Sequence, residues 1–119
     1  MSTAAEVRFR TVQHPSGRTV KVIDLDVASD ADVARLIEDV PTADLVVMVV
    51  TAGNDARAAA AIGAACSARR VMTQTIVVGT KSVKEDALSR TLAQVRPWSL
   101  MLVVANDEAY VEEILSSFR

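Results

Sequence analysis

The chain has 119 residues, a formal net charge of −2, a pI near 5.3 and a composition that is 50% hydrophobic. We expect one domain spanning residues 1–119, which is enough chain to bury a core without disulfides. The slightly acidic balance excludes the basic surface that nucleic acid binding requires. No apolar run approaches the ~18 residues of a membrane span, and residues 1–6 lack signal-peptide features. We therefore expect a cytoplasmic protein, and the alanine-rich composition favours a bacterial source.

The N-terminal segment is predicted to form an antiparallel hairpin at one edge of a sheet. Residues 6–13 alternate as a strand does, residues 14–17 have the composition of a turn, and residues 18–25 form a second strand. The basic side chains on these strands suit an exposed sheet edge. A helix is predicted next, over residues 30–41, because Val33, Leu36, Ile37 and Val40 form one apolar stripe.

Three apolar runs follow, at residues 45–50, 75–78 and 100–104, and each precedes a segment with helical spacing. Near-continuous apolar runs are typical of strands buried on both faces, and their alternation with helices indicates a parallel sheet. The first of these helices is predicted at residues 56–70, capped by Asn54 or Asp55, and the others at 83–96 and from 106 onward. The sequence therefore predicts an α/β protein, a three-layer αβα sandwich. Its Rossmann-like, mostly parallel sheet has about five strands and the hairpin at its edge.

The nucleophilic and metal-binding residue types are sparse. Cys66 is the only cysteine and lies among alanines, which predicts a small buried helix residue. His14 is the only histidine and lies in the predicted hairpin turn. That position argues against Ser-His-Asp or Cys-His catalysis and against a histidine-based metal site.

Polar residues cluster where the parallel strands are predicted to end. In open α/β sheets, ligands bind outside the carboxyl ends of the strands, near the point where the strand order reverses. The same residue types also cap helices, which is the alternative interpretation. The candidate ligand-binding residues are Thr51, Gly53, Asn54, Asp55, Thr80, Lys81, Ser82, Asn106 and Asp107.

The predicted carboxyl ends of the strands together form an acidic rim, and this rim lacks the glycine-rich motifs that bind phosphates. Carboxylates at such an edge suit Mg²⁺ or a cationic ligand. Asp24 and Asp26 are the strongest acidic candidates, because alternate residues of a strand end point to the same side.

The stretch Val22-Ile23-Asp24-Leu25-Asp26 resembles the D-x-D opening of haloacid-dehalogenase-type phosphatases. The resemblance implies a nucleophilic Asp24 and a general acid at Asp26. It also implies Thr51 as the threonine that ends a later strand, Lys81 as the lysine that holds the phosphate, and Asp107 joining the two acids as a Mg²⁺ ligand. The chain departs from that pattern at Ala28, where the family has threonine, and at Lys81, which follows a strand rather than preceding one.

Two hypotheses for the function follow from these patterns. The first is a non-catalytic accessory or regulatory module that uses no cofactor and binds a partner protein or a small ligand. The alternative is a Mg²⁺-dependent, phosphatase-like enzyme with Asp24 and Asp26 as catalytic residues. Under either hypothesis the high apolar fraction favours a homo-oligomer, a homodimer being the simplest.

Overall fold

The computed structural model describes residues 18–79 and 84–105 in full, and residues 9–13 by their backbone. Its strands are β1 (Phe9–Gln13), β2 (Thr19–Asp24), β3 (Leu45–Thr51), β4 (Met72–Val78) and β5 (Met101–Ala105). Its helices are α1 (Asp30–Asp39), α2 (Ala58–Ala68) and α3 (Glu85–Val95), and short 3-10 turns, Val40–Thr42 and Arg96–Trp98, follow α1 and α3. The predicted α/β class, with four parallel strands and intervening helices, is confirmed.

The strands lie in the sheet in the order in which they occur along the chain, β1-β2-β3-β4-β5. β1 runs antiparallel to β2, and β2 to β5 are mutually parallel. Crossovers between parallel strands are right-handed, so this sequential order places α1, α2 and α3 on the same face of the sheet. A doubly wound sheet reverses its strand order partway. The described strands contain no such reversal, and hence no topological switch point.

The two faces of the sheet carry separate apolar clusters. On the helical face, Met48 and Val50 of β3 pack with Leu36 of α1, Ile62 of α2 and Val95 of α3. The other face is also buried, and no described helix contributes to it. That second face carries Val20, Val22, Val47, Val49, Ile76, Val78 and Ala105, with Leu45 and Val103 packed against them. Apolar residues on both faces explain why the strands read as continuous apolar runs.

Local signals account for the limits of α1. Its first turn is closed by a capping box, in which Ser29 Oγ accepts from the Asp32 N–H (3.1 Å) and the Ser29 N–H donates to Asp32 Oδ2 (2.9 Å). The predicted apolar stripe is confirmed, with Leu36 and Val40 buried. The helix changes to a 3-10 turn before Pro41, which lacks the N–H that a longer helix would need.

The predicted cap of α2 is wrong. The helix begins at Ala58, and Arg57, at the N-cap, makes no side-chain capping hydrogen bond. Asp55 Oδ1 instead accepts from the Arg57 N–H (3.0 Å), which closes a tight turn before the helix. The side chains of Asn54 and Asp55 reach residues of other elements, so tertiary partners have replaced the local cap.

Several predictions concern residues outside the described ranges. These are the turn at residues 14–17, the helix predicted from residue 106, and the candidate residues Thr80, Lys81, Ser82, Asn106 and Asp107. Among the described helices, none has the length and apolar content of a membrane span.

Candidate functional site

The carboxylate of Asp26 joins two loops at the carboxyl edge of the sheet. Its oxygens accept from the Thr51 N–H (3.0 and 3.1 Å), from Thr51 Oγ1 (2.6 Å) and from Asn54 Nδ2 (2.9 Å). Hydrogen bonds to a charged acceptor are stronger than those between neutral groups. Asp26 therefore ties the loop after β2 to the loop after β3.

Asp24, the other acid of the D-x-D pair, is only 7% exposed at the end of β2. Its Oδ1 accepts from the Asp26 N–H (2.8 Å), and its carbonyl accepts from the Ala28 N–H (3.1 Å). These bonds shape the turn that leads into α1. Among the described residues, no group of three or more His, Cys, Asp or Glu side chains is placed to hold a metal ion.

A second network links the same edge to α3 through two residues that sequence reasoning missed. Thr91 Oγ1 accepts from the Gly53 N–H (2.9 Å) and lies 3.0 Å from the Asn54 carbonyl, to which it donates. Gln94 Oε1 accepts from the Ala56 N–H (2.7 Å), while its Nε2 donates to Asp55 Oδ1 (2.9 Å). The sequence did contain one indication of this network. Thr91 places a hydroxyl at an inward position of an otherwise apolar helix stripe, and a buried polar group requires a hydrogen-bond partner.

Two acids at the carboxyl edge, Asp55 and Asp32, have pKa values that are lowered by the hydrogen bonds they accept. The pKa of Asp55 lies below its usual value, first because Gln94 donates a hydrogen bond to it. The pKa of Asp32 is also lowered, first by the Ser29 backbone N–H and then by the Ser29 hydroxyl. Hydrogen bonds to the charged form of a carboxyl favour that form. The carboxylates of both acids therefore stabilise local structure, the turn before α2 for Asp55 and the cap of α1 for Asp32.

Of the candidate residues, the structure brings together Asp24, Asp26, Thr51, Gly53, Asn54 and Asp55. The hydrogen bonds described above join these residues to one another, to the backbone and to α3. Thr51 lies directly against Asp26, where the Mg²⁺-enzyme hypothesis expects an open pocket between them.

A cavity of about 390 Å³ opens at the opposite, amino edge of the sheet. It lies between the connection from α2 to β4 and the connection from α3 to β5. Its lining residues are Gly63, Ser67, Arg70, Val71, Met72, Thr73, Pro97, Trp98, Ser99 and Leu100. This volume falls in the range of about 300–1,000 Å³ that is typical of small-molecule sites.

Two hydroxyl groups of the cavity wall already have partners. Thr73 Oγ1 donates to the Trp98 carbonyl (2.6 Å), and Ser99 Oγ donates to the Val95 carbonyl (2.6 Å). Arg70 is exposed, and no described acid forms an ion pair with it. The cavity therefore offers an indole and apolar side chains that suit a flat apolar group, and one guanidinium that suits a negative charge.

The backbone of Arg70 is unusual. Arg70 has a φ of 56°, which is the left-handed conformation that glycine adopts most easily. The Val71 N–H donates to the Cys66 carbonyl (2.9 Å), and the Arg70 N–H donates to the Ser67 carbonyl (3.2 Å). This is the Schellman arrangement, whose left-handed position is usually glycine. An arginine therefore occupies a strained position beside the cavity.

Cys66 is buried in α2, as the sequence predicts. Burial raises the pKa of its thiol to about 11. The thiol is consequently protonated at neutral pH, and a buried, protonated thiol is a poor nucleophile.

Comparison of the chain with protein-family models, with curated proteins and with solved structures finds no match.

Proposed function

We propose that this chain is a non-catalytic binding module that acts as an accessory or regulatory protein and associates with itself. The observation that carries the proposal is the state of the Asp26 carboxylate, which accepts hydrogen bonds from the Thr51 backbone, the Thr51 hydroxyl and the Asn54 amide. The acidic residues described at the carboxyl edge then act as connectors between loops.

Mg²⁺ catalysis at this edge would require breaking those connections. Protein-bound Mg²⁺ demands near-ideal octahedral geometry around one or two carboxylates and several waters. To provide such a ligand, Asp26 would have to release Thr51 or Asn54. Asp24 is buried and already accepts from the Asp26 N–H (2.8 Å), so it is poorly placed to attack a phosphate.

For the ligand we propose a small molecule that joins a flat apolar group to a carboxylate, bound in the amino-edge cavity. The Trp98 indole would contact the flat group, and Arg70 would pair with the carboxylate. Arg70 supports this assignment because strained backbone conformations cluster at functional sites. No cofactor enters this proposal.

We further propose that the complete fold is the three-layer sandwich with a hairpin at the edge of a five-stranded sheet. The support is the apolar second face of the sheet, to which no described helix contributes. In the sequence, Val111, Ile114, Leu115 and Phe118 have the spacing of one helical stripe. A cytoplasmic location is proposed on the sequence alone.

A thermal-shift titration with Mg²⁺ separates the module from the enzyme. A ligand that binds only the folded state raises the melting temperature as its concentration increases. We expect no Mg²⁺-specific rise with the wild-type protein, with Asp24→Asn or with the surface control Glu38→Gln. A rise that Asp24→Asn removes and Glu38→Gln retains would contradict the proposal and establish the Mg²⁺ alternative.

The fluorescence of Trp98, the only tryptophan, tests the ligand class directly. Benzoate should change the emission in a saturable way, whereas benzylamine, of similar shape and opposite charge, should not. Arg70→Gln should weaken benzoate binding, and Arg69→Gln should leave it unchanged, since Arg69 is the exposed neighbour that does not line the cavity. Equal responses to both compounds would contradict a role for Arg70.

A further inference from the structure

We infer that β5 pairs antiparallel with β5 of a second copy of this chain, which joins the two sheets across a two-fold axis. The inference specifies the surface for the self-association proposed above. The first observation is where apolar side chains are exposed. Among the described residues, the large exposed ones are Met72 (50%), Leu100 (68%), Met101 (56%), Val104 (50%) and Val27 (44%). The first four lie on β5 or immediately beside it.

The two ends of the sheet differ in their protection against pairing. β5 is the last strand of the described sheet, and its sequence, MLVVA, contains no charge and no proline. Natural proteins protect edge strands with charges, prolines or bulges. β1, at the other end, includes Arg10. The β5 edge lacks protection of this kind in its own sequence, which is expected of a strand that has a partner.

The hydrogen bonds of β5 determine a register for that partner. The Ala105 carbonyl accepts from the Gly79 N–H (3.0 Å), so the polar backbone groups of Ala105 face β4. Alternation along the strand then directs the N–H and C=O groups of Leu102 and Val104 away from β4. Two such strands form complete antiparallel hydrogen-bonded pairs when Leu102 of one copy lies opposite Val104 of the other. Val103 then lies on the two-fold axis.

The side chains are compatible with this register. Leu102 would cover the half-exposed Val104 of the other copy on the helical face. On the opposite face, Met101 would lie against Ala105, so that a large side chain meets a small one, and the two Val103 side chains would meet each other. Every contact is between apolar groups, and cross-strand pairs of this kind stabilise sheets.

Charge favours a second copy over other occupants. Close to β5 on the amino edge, Arg69, Arg70 and Arg96 are exposed. The described part of the carboxyl edge is mixed but has more acids than bases, with Asp55 paired to Arg57, and Asp26, Lys84, Glu85 and Asp86. Antiparallel pairing of β5 places the arginine-bearing amino edge of one copy beside the carboxyl edge of the other, where acids outnumber bases. A two-fold contact also closes on itself, whereas β5-to-β1 pairing would continue into filaments.

Analytical ultracentrifugation over a concentration series tests the inference. The wild-type protein should sediment as a concentration-dependent dimer. Val104→Lys should raise the dimer dissociation constant by about tenfold or more, since each dimer would place two charges against Leu102. Val27→Lys is the matched control, because Val27 is similarly exposed but lies in the loop after β2. It should dimerise as the wild type does.

A cross-link tests the register separately. Non-hydrogen-bonded antiparallel pairs have Cα atoms about 4.5 Å apart, which lies within the range of about 4.4–6.8 Å for disulfides. Val103→Cys should therefore form a covalent dimer on oxidation with copper phenanthroline, and Val27→Cys should not. The native Cys66 is buried and should not compete.

The outcomes distinguish self-association in general from the specific pairing of β5. A wild-type monomer at all concentrations would overturn self-association altogether, and with it the β5 pairing. A wild-type dimer that Val104→Lys leaves intact, or in which Val103→Cys does not cross-link, would overturn the β5 pairing alone. Binding of benzoate in the cavity is measured independently of either result.

Discussion

Trp98 packs its side chain directly against α2 at Gly63, where a β-carbon would overlap the indole. A Cβ built at position 63 would lie 2.8 Å from Cγ and 2.9 Å from Cε3 of Trp98, and closer still to its Cβ. Real Cβ atoms do not approach other atoms so closely. The contact places the indole in the wall of the amino-edge cavity, so Gly63 helps to form that cavity.

Gly63→Ala should destabilise the protein, although the same change usually stabilises a helix by up to about 1 kcal/mol. Overpacking a core costs about 1–3 kcal/mol, and the overlap with Trp98 should therefore outweigh the helix propensity. Urea unfolding measures the difference. In a Trp98→Gly background, which removes the Cβ of residue 98 as well as the indole, the loss should disappear, and an equal loss in both backgrounds would contradict the contact.

Asp26→Asn should lower the free energy of unfolding by about 1–3 kcal/mol. The asparagine side chain would place an N–H donor against Thr51 or against the Asn54 amide, where the carboxylate now offers an acceptor. A buried polar group that loses its hydrogen-bond partner costs about 1–3 kcal/mol. Glu38→Gln, at an exposed position of α1, should change stability by less than about 0.5 kcal/mol. Similar values for both variants would show that the Asp26 connection contributes little.

Asp32 should make stability depend on pH in the acid range. Its pKa in the folded protein is lowered from 3.8 by the Ser29 hydrogen bonds. The unfolded chain therefore takes up the proton first as the pH falls, and the contribution of Asp32 is present above pH ~4 and lost below it. The difference in melting temperature between wild type and Asp32→Asn should shrink from pH 6 towards pH 2.5. A constant difference would contradict the assignment.

Arg70→Gly should stabilise the fold while weakening ligand binding. Glycine adopts the left-handed conformation without steric cost, so relieving the strain at φ 56° should contribute about 1 kcal/mol. Arg69→Gly should instead destabilise, because Arg69 does not have a positive φ. The comparison uses urea midpoints together with the benzoate titration. A destabilised Arg70→Gly variant would show that the arginine has a structural role.

Cys66 should resist thiol reagents in the native state. Its thiol is buried and has a pKa of about 11, so dithionitrobenzoate should react only as the protein unfolds. Ser67→Cys in a Cys66→Ala background places the thiol at the adjacent exposed position and should react rapidly. Rapid labelling of the wild type under native conditions would contradict the packing of α2.

The sequence by itself determined the alternation of strands and helices. Continuous apolar runs such as the one in β3, and the stripe with Leu36 and Val40 on α1, depend on local periodicity, which the chain carries without reference to its fold. The burial of Cys66 follows from the same pattern. The candidate acids at the carboxyl edge were found for this reason too, since strand ends can be located along the chain.

Only the tertiary structure decided what those acids do. The partners of Asp26 are Thr51 and Asn54, 25 and 28 residues away in the chain, and strand order decides which loops meet. The cap of α2 was predicted wrongly because the side chains of Asn54 and Asp55 hydrogen-bond to Asp26 and Gln94 instead of capping the helix. The cavity likewise depends on the approach of Trp98 to Gly63, because no local pattern encodes a contact between segments that only folding brings together.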